Sequence, residues 1–283
     1  MRLTTFAASS AQRTGIALVL VGAFCFSLAI PFTRWTDGLG TSTIAFFRAL
    51  FGFLFLCALA AASHEPLRQA LNRSTISRLV PLGLAVSATV ILYTYAVRHT
   101  TAANAVLLVN SAPIYVAVLA PLVLGEPRAR YTWLSLALAF TGMALMTNPA
   151  RLDMRSSDLT GIAAAALSGA CYSLVMLISR SLRGRISGLT QNLWSNGTIV
   201  LVLLPWALRA PGAAVASNLH LLTPLGIFSL GLSYLLYFQG LQRISAQQVS
   251  VVSLAEPVFG VLMVLVFFAE IPNAIGWIGA ALI

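Results

Sequence analysis

The feature that most constrains this chain is the recurrence, along nearly its whole length, of apolar stretches about 20 residues long. A stretch of that length can cross a hydrocarbon layer about 30 Å thick as a helix, with every backbone polar group satisfied internally. Ten such stretches fall near residues 15–32, 41–62, 79–97, 101–124, 131–147, 159–179, 189–208, 222–241, 247–268 and 271–283. Of 283 residues, 59% are hydrophobic and only 8% charged, against about 25% charged in ordinary soluble domains. The pattern predicts an all-α polytopic membrane protein with ten transmembrane helices, and makes the lipid bilayer its first partner.

All 17 basic residues are arginine, giving a formal net charge of +10. They lie mostly in short connections between apolar stretches, where they set topology, so the charge does not imply a nucleic-acid partner. With the N-terminus in the cytoplasm, eleven arginines, among them Arg128, Arg130, Arg180, Arg183, Arg185 and Arg243, fall on the inner side. Five fall outside (Arg34, Arg98, Arg151, Arg155 and Arg209), and Arg48 lies within a span. The excess predicts that both termini are cytoplasmic. Cys25, Cys57 and Cys171 all sit inside apolar stretches. An odd number of cysteines buried in helices argues against a disulfide framework or a metal site, and no cofactor is expected. Polar residues and Arg13 precede the first apolar run, which reads as a retained helix rather than a cleaved signal peptide.

The chain repeats itself. Residues 104–126 return as residues 248–270, with Pro113 matching Pro257 and Glu126 matching Glu270 at an offset of 144. Tyr93 pairs with Tyr237 and Trp133 with Trp277 at that offset, while Cys25 pairs with Cys171 and Arg34 with Arg180 at 146. Agreement of Pro, Glu, Trp, Tyr, Cys and Arg is far less easily reached by chance than agreement of Gly, Ala and Leu. The expected division is 1–148 and 149–283, five helices each. An odd helix count makes the second half run opposite to the first, so the two are inverted repeats around a central cavity, an arrangement used by transporters. The tenth stretch has only 13 residues, roughly 20 Å. Comparison with the fifth predicts about eight more helical residues and a tail beyond Ile283.

Several polar residues could line a path. Asn104, Ser111 and Tyr115 are spaced to share one helical face, as are Ser229, Ser233 and Tyr237, whose repeat counterparts are Ala85, Thr89 and Tyr93. Such hydroxyls also commonly bond their own backbone or a neighbouring helix. Arg48 and Glu256 lie roughly 10 Å and 14 Å in from opposite ends of their spans. Intramembrane charges are costly and by default mark function. These two either pair as a structural bridge or face an aqueous cavity, where Arg48 would attract anions and Glu256 would couple protons. Pro113 and Pro257 each remove a backbone hydrogen bond and are hinge candidates, or simply shape the packing. Glu126 and Glu270 stand just before the following helix, as caps first and gates second. Tyr131, Trp133, Trp206 and Trp277 suit membrane-interface anchors.

The string AFFRALFGF around Arg48, the Pro-to-Glu block in both halves, and Glu256-Pro257-Val258-Phe259 followed by Ala269-Glu270 resemble the EamA domain of the drug/metabolite transporter superfamily. The similarity covers essentially the whole chain. One departure is internal: Ala112 stands in the first half where the second has Glu256. The layout resembles the YddG-type exporters of aromatic and other amino acids. That likeness implies broad-selectivity efflux of a small molecule by alternating access from a central cavity, lined by Tyr93, Tyr95, Asn110, Ser111, Tyr115, Tyr172, Ser173, Ser233, Tyr237 and Glu256, with Tyr234 among the aromatics. A multidrug or other small-metabolite exporter, with Glu256 as the cation site and possible proton coupling, is the rival within transport. An intramembrane enzyme would need a nucleophile with a base or a metal cluster, whereas His64, His99 and His220 lie in connections without metal spacing. A channel has no need of inverted halves.

Overall fold

The computed structural model describes residues 10–64, 72–100, 102–126, 132–146, 159–269, 271 and 274–283. All regular structure among them is helical. In chain order the helices are α1 (Ser10–Ser27), α2 (Ala29–Trp35), α3 (Thr41–Ala62), α4 (Arg73–His99), α5 (Ala102–Val109), α6 (Ala112–Val123) and α7 (Thr132–Met146). Then come α8 (Leu159–Ser181), α9 (Gly188–Ala207), α10 (Gly212–Gly226), a π-helical turn (Ile227–Leu232), α11 (Ser233–Leu241), α12 (Ala246–Val252), α13 (Ala255–Phe268) and α14 (Ala274–Leu282). Seven continuous or nearly continuous helical segments are long and apolar enough to cross a membrane: Ser10–Trp35, Thr41–Ala62, Arg73–Ala96, Ala105–Val123, Leu159–Ser181, Gly212–Leu241 and Ala246–Phe268. α7 is apolar but shorter. The expected boundary at 148/149, together with Tyr131 and Glu270, lies outside the described residues.

Two of the spanning segments break at nearly repeat-related points. α5 gives way to α6 at Asn110–Ser111, and α12 to α13 at Ser253–Leu254. The cause is local. Proline cannot donate a backbone hydrogen bond, and its ring clashes with the carbonyl four residues earlier. For Pro113 and Pro257 those carbonyls belong to Val109 and Ser253, where the first half-helices end. Each proline then sits within the first turn of the second half-helix, where a missing N–H costs nothing.

The bundle packs mainly between the two halves of the chain: α4 lies along α8, α3 along α9, α1 along α11 and α7 against α14. In lipid, helices gain little from burying apolar surface, so close approach of small residues dominates. A Cβ added at Gly142 would lie 2.5 Å from the Gly279 carbonyl, and one at Gly161 would lie 2.5 Å from the His99 carbonyl. Large apolar side chains such as Leu122, Leu201 and Val266 point outward, as a lipid-facing surface requires. Trp133, Trp206 and Trp277 are also exposed. The three cysteines are free thiols.

Candidate functional site

A cavity of about 700 Å³ lies at the centre of the bundle. Its charged and polar wall comes from Arg48, Thr89, Asn110 and Glu256, and its aromatic wall from Phe26, Tyr93, Tyr172 and Tyr234. Pro257 belongs to it as well, so one of the two helix breaks is cavity wall on both sides of its proline. The lining continues through Ile30, Met146, Val264 and Ile271 toward one end of the bundle, where Ile271 is largely exposed.

Arg48 and Glu256 share this cavity but do not bond each other. The Arg48 guanidinium turns to the π-helical turn instead: Nε donates to Ser229 Oγ at 2.8 Å and Nη2 to the Ser229 carbonyl at 2.6 Å. The π turn replaces the regular ladder at this point, which brings that carbonyl within reach. Glu256 lies in the first turn of α13, directly after the break. Its carboxylate accepts no hydrogen bond from a side chain among the described residues and faces the cavity. Charges within a membrane bundle are costly unless paired, and this carboxylate stands at the cavity wall.

The other expected cavity residues divide sharply. Asn110 lines the cavity, with its amide donating back to Val106 O at 2.8 Å. Tyr93 and Tyr172 line it too. Tyr237 does not: it is buried one layer behind, stacked on Tyr172 with ring centroids 6.1 Å apart. Ser233 is fully buried, with its backbone carbonyl close to Gly22 of α1. From this stretch the cavity receives Leu230 and Tyr234 instead, because the π turn shifts the face that a regular 3.6-residue period assigns to Ser229, Ser233 and Tyr237. Ser111 and Ser173 bond the carbonyls of Leu108 and Ala170, each at 2.6 Å, and neither lines the cavity. Tyr95 is 42% exposed on the outer surface and stacks on His99 at 3.9 Å. Tyr115 is half-buried outside the lining, since the break at Asn110–Ser111 interrupts the face it would share with position 104. The Asn104 side chain lies outside the described residues.

Glu126 also departs from the expected role. It does not cap the helix that follows it. One oxygen accepts from Arg180 Nε at 2.6 Å, and the other from the backbone N–H of Ala246 at 2.9 Å, the first residue of α12. Arg180 Nη1 donates in turn to Leu241 O at 2.7 Å.

The fold also buries a polar cluster on α9 that hydropathy reading passed over. The Asn192 amide donates to Gly231 O at 2.7 Å, within the π turn, and its side-chain carbonyl oxygen accepts from Asn196 at 2.7 Å. Gln191 accepts from Ser179 at 2.6 Å and donates to Ile186 O. The signal was visible as a run of amides and hydroxyls, Thr190, Gln191, Asn192, Ser195 and Asn196, inside an apolar stretch.

With this geometry in place, similarity to known proteins decides the family. The EamA-like transporter family matches residues 13–148 and again residues 159–283. The chain belongs to the EamA-like transporter family. A relative from Archaeoglobus fulgidus named "Uncharacterized transporter" is 29% identical over 274 residues, covering 96% of this chain and 94% of its own. The pseudopaline exporter CntI of Pseudomonas aeruginosa is 26% identical over 275 residues, covering 96% and 93%. A solved crystal structure superposes with a TM-score of 0.82 at 19% identity, over 98% of this chain and 94% of its own, a likeness that speaks to the fold alone. This EamA-family protein is therefore a multi-pass membrane transporter of a small-molecule substrate.

Proposed function

We propose that this transporter exports amino acids, aromatic ones among them, by alternating access through the central cavity. The carrying observation is that one wall of the cavity presents the Glu256 carboxylate, without a side-chain partner among the described residues, another presents the Arg48 guanidinium, and Phe26, Tyr93, Tyr172 and Tyr234 stand among the aliphatic side chains of the rest. A zwitterion has an ammonium for the first and a carboxylate for the second. An aromatic or apolar side chain suits Phe26, Tyr93, Tyr172 and Tyr234. Export rather than import is in keeping with the exporter name of one relative and with the resemblance to YddG-type proteins.

In this reading α7, α9 and α14 join the seven long segments to make ten crossings, arranged as inverted halves 1–148 and 149–283. The matched breaks before Pro113 and Pro257 support that arrangement, and discontinuous helices at the midplane are common in transporters of this design. The protein lies in the bacterial inner membrane with both termini cytoplasmic. Pro113 and Pro257 are the flexing points of the two broken helices.

One observation favours a second reading. Glu256 is free of side-chain partners while Arg48 is held by Ser229, so a cationic metabolite or drug could bind at Glu256 alone. Counterflow in proteoliposomes separates the two. Labelled phenylalanine should exchange with unlabelled phenylalanine and tyrosine, and tetraphenylphosphonium should compete weakly. Strong competition by tetraphenylphosphonium with no amino-acid exchange would move the assignment to the cationic class.

A further inference from the structure

We propose that Glu126 and Arg180 form a latch that seals the end of the cavity opposite Ile271, and that its release is the step that opens that end. The inference rests on the alternating-access reading and adds the device that holds one of its states.

Among the described residues the cavity lining runs from the middle of the bundle toward the Ile271 end. At the other end four separate pieces of chain meet at one ion pair. Glu126 follows α6, Arg180 ends α8, Leu241 ends α11 and Ala246 begins α12. The carboxylate takes Arg180 Nε on one oxygen and the Ala246 N–H on the other, and Arg180 also holds Leu241 O. Gln242 extends the tie, accepting from the Gly184 N–H at 3.0 Å and donating to Ile186 O. Cavity residues on three of these pieces lie close by in sequence: Tyr172 is eight residues before Arg180, Tyr234 seven before Leu241, and Glu256 ten after Ala246. At 1.5 Å per residue the latch stands roughly 10–15 Å beyond the cavity floor.

A passage to this end must separate those pieces, and no separation is possible while the pair holds. Both side chains are only about a tenth exposed, 12% for Arg180 and 10% for Glu126. Such a pair is firm when every donor and acceptor is met, and its strength collapses when one partner is removed, because the other is left unpaired out of water. That makes it a two-state element rather than a gradual one. Arg34, the repeat counterpart of Arg180, lies at the opposite end of the bundle with its guanidinium 4.8 Å from the Phe268 ring centroid. The two ends are therefore built from equivalent cations.

The test uses the full chain with Cys25, Cys57 and Cys171 replaced by serine and a reporter, Val109→Cys, in the cavity wall. A membrane-impermeant maleimide is applied to right-side-out and to inside-out vesicles. The parent should label from the Ile271 end. Glu126→Gln and Arg180→Gln should each raise labelling from the latch end by about tenfold, and the double variant should add little, since either loss undoes the same contact. Labelling that stays confined to the Ile271 end in both variants overturns the latch alone. Equal labelling of the parent from both ends overturns alternating access and the latch with it. A second measurement covers variants that fail to insert: Glu126→Cys with Arg180→Cys, bridged by a short bis-thiosulfonate reagent, should stop counterflow and regain it on reduction. Counterflow at the unbridged rate while the bridge is intact overturns the proposal.

Discussion

The two broken helices make the most instructive comparison in this protein. α5–α6 and α12–α13 interrupt at nearly equivalent residues, each just ahead of a proline. Their backbones follow the same rule, and their chemistry does not. At the first break the residue before Pro113 is Ala112, fully buried and without a polar group. At the second it is Glu256, a carboxylate in the cavity wall. The neighbours differ too. Gly169 of α8 lets the first break pass so closely that an added Cβ would lie 2.6 Å from Leu108 O and from Ser111 Oγ, whereas the repeat position in α1 already carries a buried Ala23. One break is a packing joint. The other is a packing joint that also carries a carboxylate into the cavity wall, and the near-symmetry of the fold makes that difference visible.

Glu256→Gln tests this contrast most severely. Counterflow should fall by about tenfold or more, the size expected when a charge-assisted contact worth at least roughly 1.4 kcal/mol is lost. Lowering the pH on the binding side protonates the carboxylate and should slow wild-type exchange, while the glutamine variant should show no such pH dependence. Ala112→Glu in a Glu256→Ala background should not restore activity. Restoration would mean that the two breaks are interchangeable, and the contrast would fail.

Gly169→Ala should cost about 1–3 kcal/mol by overpacking the first break, read as a lower thermal midpoint in detergent. Ala23→Gly should cost about 1 kcal/mol, the helix-interior penalty of glycine. Equal losses would show that α1 and α8 support their breaks alike. At the start of α12, Ser245 and Gln248 form a reciprocal capping box. Ser245→Ala should cost about 1 kcal/mol and should lower the thermal midpoint without changing substrate preference. The smallest effects belong to Pro113→Ala and Pro257→Ala. Each should shift stability by less than about 1 kcal/mol, since neither proline replaces a needed donor and the change acts mainly through the unfolded chain. The two shifts should agree within about 0.5 kcal/mol if the breaks share one backbone mechanism.

Sequence alone determined the class of this protein, because apolar length and scarcity of charge are properties of the chain and not of its packing. It also determined where the long helices lie, and that Arg48, Tyr93, Asn110, Tyr172 and Glu256 deserved attention, since intramembrane charges and repeated motifs are legible one residue at a time. Ser233, Tyr237, Ser111 and Tyr115, expected at the cavity, lie outside its lining, because face assignment assumes an unbroken 3.6-residue period. A π turn at Ile227–Leu232 and a break at Asn110–Ser111 each reset that period. Tyr95 turned outward because the sequence could not say which side of α4 meets α8. The bond from Arg48 to Ser229, the tie of Glu126 to Arg180 and Ala246, and the bond from Asn192 to Gly231 were decided by tertiary structure only. Each joins residues far apart in the chain, and hydrogen-bond partners within a bundle are chosen by which helices lie side by side, which no single helix encodes.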